Sequence, residues 1–370
     1  MKLVQAKRDD LLKPLMAVSG IVEKRHTLPI LSNLLIERSA EKLRLLATDL
    51  EIQVTTSFSS AQKGAENYQV TVSARKLQDI LRALPEQEEV VLEAQNNRMQ
   101  VRSGKSRFTL QTLPAEDFPK LTLATTAAAI KVVIPQKTLR SLLLLVQYAM
   151  AQQDIRYYLN GMLFVLEGKQ LKAIATDGHR LAYACIALKE EVTTQEVILP
   201  RKAIQELIKL LNDTEDEAIV ELGANQARFK IGEVELITKV VDGKFPDYTR
   251  VIPTNYQTHI DINRGALQQA LTRVAILSNE KFRGVRWTLT EGQVRIACTN
   301  TEQEEAFEDM EIAYKGGALD IGFNVTYLLD VLGNLTSEKV ICSFGDANSS
   351  MLITIAEDRE FRYVVMPMRI

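Results

Sequence analysis

Asp177-Gly178-His179 offers, at first sight, an acid–base pair at catalytic spacing. The chain has only three histidines, and His26 and His259 stand in unrelated surroundings. An upstream copy of the stretch, LRLLATDLEI at 43–52, carries Leu50-Glu51 where Gly178-His179 stand, so the motif persists without its histidine. A third copy, VRIACTNTEQEEA, runs from 294 to 306. What all three keep is a turn former: an apolar strand, a small residue, then Thr-Asp or Thr-Asn, whose short side chain bonds its own backbone. That favours a structural or binding role over catalysis. No GxxxxGK[ST], GxSxG or HExxH string occurs. Cys185, Cys298 and Cys342 lie far apart in apolar, strand-like sequence without CxxC spacing, which suits core thiols and neither a metal nor a disulfide. The sequence predicts no catalytic residues, no metal and no cofactor.

The remaining chemistry is electrostatic. Net charge is −2, so the total announces no nucleic-acid partner. Locally, Lys13, Arg75, Lys76, Arg82, Lys137, Arg140, Arg201, Lys202, Lys209, Arg264 and Arg273 fall on predicted helices with few acids of their own, while acids gather at 86–89, 190–191, 213–217 and 302–309. Helices lining one concave face would make that face attract phosphates without reading bases. Ordinary solvated helix faces give the same pattern, and 323–335 has no basic residue. Two loops add candidates, Glu23-Lys24-Arg25-His26 and Gln152-Gln153-Asp154-Ile155-Arg156-Tyr157-Tyr158, because arginine beside tyrosine bonds phosphate and stacks on exposed bases. A basic segment at 101–110 is matched by an acidic one at 301–309, which suits head-to-tail association. The apolar tail 363–370 is expected to pack into the last domain and to form part of a partner-binding surface.

Elements that could position these residues recur with a long period. Asp49, Asp177 and Asn300 mark one turn three times, spaced by 128 and 123 residues, too long for a solenoid repeat and suited to whole domains. Phe118-Pro119 and Phe245-Pro246 repeat at 127 residues, and Met366-Pro367 follows 121 residues later. Helices are predicted in DDLLKPLMAVSGIVE, capped by Asp9 or Asp10 with Pro14 tolerable only in the first turn, and over 73–84, 138–151, 199–211, 262–278 and 323–335. Strand-like sequence fills the intervals. The result is an α+β fold of three similar domains, 1–127, 128–257 and 258–370, each with a helix pair on antiparallel sheet. With 46% hydrophobic residues the chain can bury such cores. The longest apolar run, 142–146, is too short to span a bilayer and no leader pattern precedes it, so the expectation is a soluble, cytoplasmic protein.

Over its whole length the chain resembles the bacterial sliding clamp family, the beta subunit of the replicative DNA polymerase III. The resemblance is carried, in order, by LLKPL, TLPILSNLL, TDLE, VRSGKSRF, RYYLNGMLF, ATDGHRLA, VDGKFPDY, AILSNEKFRGVR, IGFNV and YVVMPMR. It implies DNA-clamp domains in a head-to-tail homodimeric ring, helices lining the hole and sheets outside, through which duplex DNA passes without sequence preference and without chemistry. By the same resemblance DNA contacts fall on Arg25, Gln153, Tyr157 and Tyr158. A groove for the short clamp-binding peptides of the replicative polymerase catalytic subunit, the clamp loader, other polymerases and repair proteins falls on Leu159, Thr176, Gly178, His179, Arg180, Leu181, Pro246, Arg250, Val251, Tyr327, Ser350, Val364, Val365, Met366, Pro367, Met368, Arg369 and Ile370. An extended peptide would bury aliphatic or aromatic anchors there. The dimer contact falls on Phe108 and Leu110 against Ile276 and Leu277, flanked by Arg107, Glu304 and Glu305. Two departures stand out: Glu23-Lys24 where the family often has glycines, and Ile370 where leucine is common. The rival readings are a nucleic-acid-processing enzyme with a basic groove, which would need clustered carboxylates for metal, and a monomeric peptide-binding scaffold.

Overall fold

The structure, a computed structural model, describes all residues except 24–27, 41, 60–64, 96, 123–128, 357–359 and 370. Six α-helices are present among the described residues: α1 (Arg8–Ser19), α2 (Ala74–Ala83), α3 (Gln136–Leu144), α4 (Arg201–Leu210), α5 (Arg264–Val274) and α6 (Val325–Asn334). Each matches one of the six predicted segments, and the differences lie at their ends. Asp9 and Asp10 do not cap α1; Lys7 precedes the helix without a side-chain cap, and the two acids lie in the first turn, where they complement the helix dipole. Pro14 sits inside α1, beyond the first turn, so the helix tolerates the loss of one backbone donor there. The predicted helix 138–151 stops at Leu144 and gives way to a 3-10 turn, Gln147–Ala149. Pro200 ends the strand before α4 and does not enter the helix. Ser73, Asn263 and Asn324 cap α2, α5 and α6 by accepting from Lys76, Ala266 and Thr326 backbone N–H groups, which explains why those helices begin where they do.

The chain forms two compact units, and the central segment contributes to both. The first comprises Met1–Leu139 and Lys202–Val240. It holds a four-stranded antiparallel sheet, ordered Lys2–Lys7, Glu89–Gln95, Arg98–Ser103, Ser106–Gln111, and an eight-stranded one. The latter joins Ala65–Ser73, Asn33–Ala40, Lys42–Thr48 and Ile52–Ser59 to Val234–Lys239, Gln226–Ile231, Glu217–Leu222 and Ile130–Pro135. The seam between the two halves is the pairing of Ile52 with Thr238 and Thr56 with Val234.

The second unit comprises Arg140–Arg201 and Val241–Ile370. Its six-stranded sheet runs Gly161–Thr176, Arg180–Pro200, Arg362–Val365, Met351–Thr354, Lys339–Phe344, Thr258–Asn263. The seam here pairs Arg180 with Val365 and Tyr183 with Arg362. A four-stranded sheet, Glu305–Glu311, Gln293–Thr299, Gly284–Thr290, Leu319–Asn324, completes the unit. In each unit the sheets carry alternating apolar faces into a core, against which α1 and α2, or α5 and α6, pack as a pair. Trp287, fully buried, meets the edge of Phe323 at 5.9 Å in the second core. Cys185, Cys298 and Cys342 are buried and form no disulfide among the described residues.

Candidate functional site

The repeated turn is a repeated hydrogen-bond pattern. Asp49 Oδ1 accepts from the N–H groups of Glu51 and Ile52, and Asp177 Oδ1 from those of His179 and Arg180. Asn300 Oδ1 accepts from Glu302 and Glu304, one residue further on at the second bond. Thr48 and Thr176 each accept from the second residue after them and donate to the fourth. The residue after the aspartate has positive φ in both: 78° at Leu50 and 91° at Gly178. Glycine costs nothing in that region; leucine is strained there.

Gly178 also lets another chain segment approach. A Cβ at this position would lie 3.1 Å from the Arg156 guanidinium. Arg156 grips Asp154 through Nε and Nη2 at 3.0 and 2.8 Å, and its Nη2 reaches the Asp177 carbonyl at 3.2 Å. The bond from Arg156 is the main cause that holds the Asp154 carboxyl at about 2. Asn160 closes the same loop by donating to the Asp154 carbonyl and accepting from its N–H. The guanidinium therefore ties the 152–160 loop to the turn.

Between turn and loop lies a cavity of about 190 Å3. Nine of the expected groove residues line it: Leu159, Thr176, Gly178, Arg180, Leu181, Pro246, Val251, Val364 and Met366. Three lining residues were absent from the expected groove: Arg156, which the sequence offered only as a loop candidate, Phe245 and Tyr248. The signal for them was in view, since Arg156 belongs to RYYLNGMLF and the other two to GKFPDY. Beneath the cavity a cluster of buried side chains, among them Leu163, Ile174 and Phe245, gives it an apolar floor. The wall at Arg180 is polar and fixed. Its guanidinium bonds Asp177 at 3.1 Å, Asp330 at 2.6 Å and the Tyr148 carbonyl at 2.7 Å, and lies 4.4 Å from the Tyr327 ring centroid. Burial opposes its charge, but Tyr363, Asp330 and Asp177 outweigh burial and hold the guanidinium above its ordinary value.

The other expected groove residues among the described ones do not line this cavity. His179 is exposed and stacks on Tyr327 at 6.5 Å. Arg250 is exposed and paired with Asp247 at 2.9 Å. The Ser350 carbonyl accepts from the Tyr256 hydroxyl at 2.6 Å. The tail is held as a strand: Val364 and Val365 are fully buried, Met366 N–H donates to the His179 carbonyl and Met368 N–H to the Gly322 carbonyl. It packs between strands of the central and last segments, not into the last segment alone. Pro367 is half-buried and Arg369 exposed, and Ile370 lies outside the described residues.

Of the expected DNA contacts, Arg25 also lies outside the described residues. Gln153 is exposed with φ 55°, and Tyr157 and Tyr158 meet edge to face at 5.9 Å on the same loop. Several helix cations are engaged within the chain: Arg75 with Asp79, Lys137 with Glu215, Lys202 with Glu23 and Asp49, Lys209 with Glu206, Arg273 with Glu308. Lys13, Lys76, Arg82 and Arg140 have no ion pair among the described residues.

Four of the seven expected dimer residues, Arg107, Phe108, Leu110 and Glu305, fall on two outer strands. Phe108 is half-buried, Leu110 buried and Arg107 exposed on Ser106–Gln111, which ends its sheet. Glu305 begins the other end strand, Glu305–Glu311, and Glu304 precedes it, bonded by the Asn300 amide at 2.6 Å. Ile276 is 77% exposed and Leu277 half-buried after α5. Phe307, 60% exposed on the acidic strand, was missed by sequence reasoning. No helix among the described residues is long and apolar enough to cross a membrane, and none of their acidic, histidine and cysteine side chains form a group of three able to hold a metal.

Residues 1–122, 133–247 and 249–369 match, in order, the N-terminal, central and C-terminal domains of the DNA polymerase III beta subunit. The chain belongs to that family. Its three domains are those of the beta sliding clamps. A beta sliding clamp from Salmonella typhimurium is 46% identical over 363 residues, 98% of each chain. The crystal structure of the DNA polymerase III subunit beta from Pseudomonas aeruginosa superposes with a TM-score of 0.95 at 44% identity, covering 100% of both chains. A second crystal structure of that clamp, bound to griselimycin, has the same TM-score and identity. These relatives speak for the clamp and for neither rival reading.

Proposed function

We propose that this chain is a non-enzymatic sliding clamp: two copies close head to tail around duplex DNA, and the 190 Å3 cavity holds short peptide segments of the polymerase and of other DNA-processing proteins. A clamp works by effective concentration, since a polymerase that releases the primer stays beside it and rebinds. The domains proposed are 1–127, 128–257 and 258–370, and the DNA contacts are Gln153, Tyr157, Tyr158 and Arg25.

One observation carries the ring. Twice within the chain the strand that follows the repeated turn pairs antiparallel with the last strand of another domain: Ile52–Ser59 after Asp49 with Val234–Lys239, and Arg180–Pro200 after Asp177 with Arg362–Val365. The third such strand, Glu305–Glu311 after Asn300, ends its sheet, and so does Ser106–Gln111, the last strand of the first domain. The repeat therefore calls for these two strands to pair across copies, and a head-to-tail contact made twice closes. Charge agrees, because Lys105 precedes and Arg107 lies on one strand, while Glu302 and Glu304 precede and Glu305 opens the other. The same pairing removes the exposed sheet edges and covers Phe307.

The test loads the protein onto nicked circular DNA with its clamp loader, linearises the DNA and counts what stays bound. Loss on linearisation is expected of a ring that slides off the ends. Retention would mean direct grip and would end the ring reading.

A further inference from the structure

The loop that carries Gln153, Tyr157 and Tyr158 and the cavity that would hold peptides share parts. Arg156 lines the cavity, yet it belongs to the loop and is held there by Asp154. Its Nη2 bond to the Asp177 carbonyl, 3.2 Å, and its approach to Gly178 make it a piece of the turn wall as well. A second route runs through the tyrosines. A Cβ at Gly243, where φ is 123°, would lie 3.5 Å from Tyr158 Cβ and 3.6 Å from Tyr157 Cε2. Two residues on, Phe245 and then Pro246 line the same cavity. Tyr158 also packs on the apolar cluster that contains Leu159 and Phe245.

On the reading that this loop meets DNA and this cavity meets peptides, we infer that the two sites are coupled through Arg156, and that each ligand weakens the other. The guanidinium has a fixed fork that a phosphate can take from a carboxylate. A phosphate arriving at the loop competes with Asp154 for Arg156. Drawing the side chain outward removes one wall of the cavity and takes the guanidinium donor from the Asp154 carboxylate, which keeps only the Arg156 backbone N–H, and from the Asp177 carbonyl. A peptide seated against Arg156 holds the side chain in place and denies it to the phosphate. Linkage makes the two effects equal in size. A clamp with duplex at this loop would hold its partners more loosely than one without, which suits exchange of partners on DNA. Arg156 is here a positioning residue and makes no chemistry.

The test measures the affinity of the full-length protein for a fluorescein-labelled heptapeptide with leucine and phenylalanine anchors, by anisotropy at low salt, with and without a saturating short primed duplex. The duplex affinity is measured with and without the peptide. Each dissociation constant is expected to rise at least about fivefold, the low end of ordinary couplings, and by the same factor. Arg156→Gln should bring both factors close to one. Arg156→Lys, which keeps the charge and the stem, should lower them partly and serves if the glutamine variant does not fold. Both ligands binding with unchanged constants would overturn the coupling and leave the clamp reading standing. Coupling that survives both variants would remove Arg156 from it. Failure of duplex or peptide to bind at all would overturn the clamp reading and the coupling with it.

Discussion

The repeated turn is one hydrogen-bond design used with different residues, and the differences separate structure from function. Leu50 and Gly178 occupy the same place with φ of 78° and 91°. At the first, nothing crowds the turn enough to forbid a side chain, and the chain accepts strain of about 1–2 kcal/mol for a leucine in that region. At the second, Arg156 stands 3.1 Å from where a Cβ would be. Exchange should therefore be asymmetric. Leu50→Gly is expected to change stability by less than about 1 kcal/mol, strain relief and glycine's unfolded-state entropy nearly offsetting each other. Gly178→Leu should cost about 1–2 kcal/mol and also displace Arg156, lowering peptide affinity. Urea unfolding of both variants checks it, and equal losses would break the distinction. Asp154 gives a second prediction. Its folded value, about 2, lies below the ordinary 3.8, so the ionised clamp favours the folded loop above 3.8 and that contribution is lost as pH falls toward 2. A side-chain 13C titration should find the low midpoint in the native protein and a higher one in Arg156→Ala, still below 3.8 because the backbone N–H of residue 156 goes on donating to the Asp154 carboxylate.

At the scale of elements, the sequence predicted all six helices and strand-like sequence between them, because amphipathic spacing and alternation are local signals. Their ends were harder to read. A side-chain cap was expected at Asp9 or Asp10, yet the helix opens one residue earlier without a side-chain cap, following directly on the strand Lys2–Lys7. Pro14 was expected to mark a first turn and instead lies inside α1, where Leu11, Leu15 and Val18 on its buried face hold the helix through the break. The cost of that proline is still present in the folded state. Pro14→Ala should accordingly raise stability, by about 1–3 kcal/mol, seen as a higher urea midpoint at unchanged slope. A lower midpoint would show that the ring of Pro14 packs better than it obstructs. The site was legible in part for the same reason. Residues inside strong motifs, Thr176, Gly178, Arg180, Leu181 and Pro246, came out together, whereas Phe245 and Tyr248, in the same GKFPDY motif as Pro246, were passed over because the motif does not say which of its side chains face the cavity. The sharing of the central segment between two units was equally invisible, since it rests on strand pairings such as Ile52 with Thr238, between residues far apart in sequence.

At the scale of the whole molecule, the repeat makes a quantitative demand on the dimer. The second helix of each domain buries residues in matching register: Leu77 and Leu81 in α2, Ala203 and Leu207 in α4, Leu328 and Leu332 in α6. The residue just before each first member is Lys76, Lys202 and Tyr327. Two of these already hold a repeated turn. Lys202 bonds Asp49 at 2.5 Å in the first turn, and Tyr327 stacks with His179 and faces Arg180 in the second. Lys76 is the remaining one, exposed and without an ion pair among the described residues, and the remaining turn is Asn300 with exposed Glu302 and Glu304 beside it. In a head-to-tail dimer Lys76 of one copy should meet that turn of the other, completing a third use of one docking rule. Exposed ion pairs are worth only about 0.2–1 kcal/mol, but reversal sets like charges against each other at both contacts of the ring. Lys76→Glu is thus expected to weaken dimerisation by about 1–3 kcal/mol over the two contacts, and Glu302→Lys in the same chain to restore much of it. Sedimentation across a dilution series reads the change directly. A dimer indifferent to the reversal would mean that the third junction departs from the first two, and that pairing of Ser106–Gln111 with Glu305–Glu311, with Ile276 and Leu277 beside it, holds the ring without help from α2.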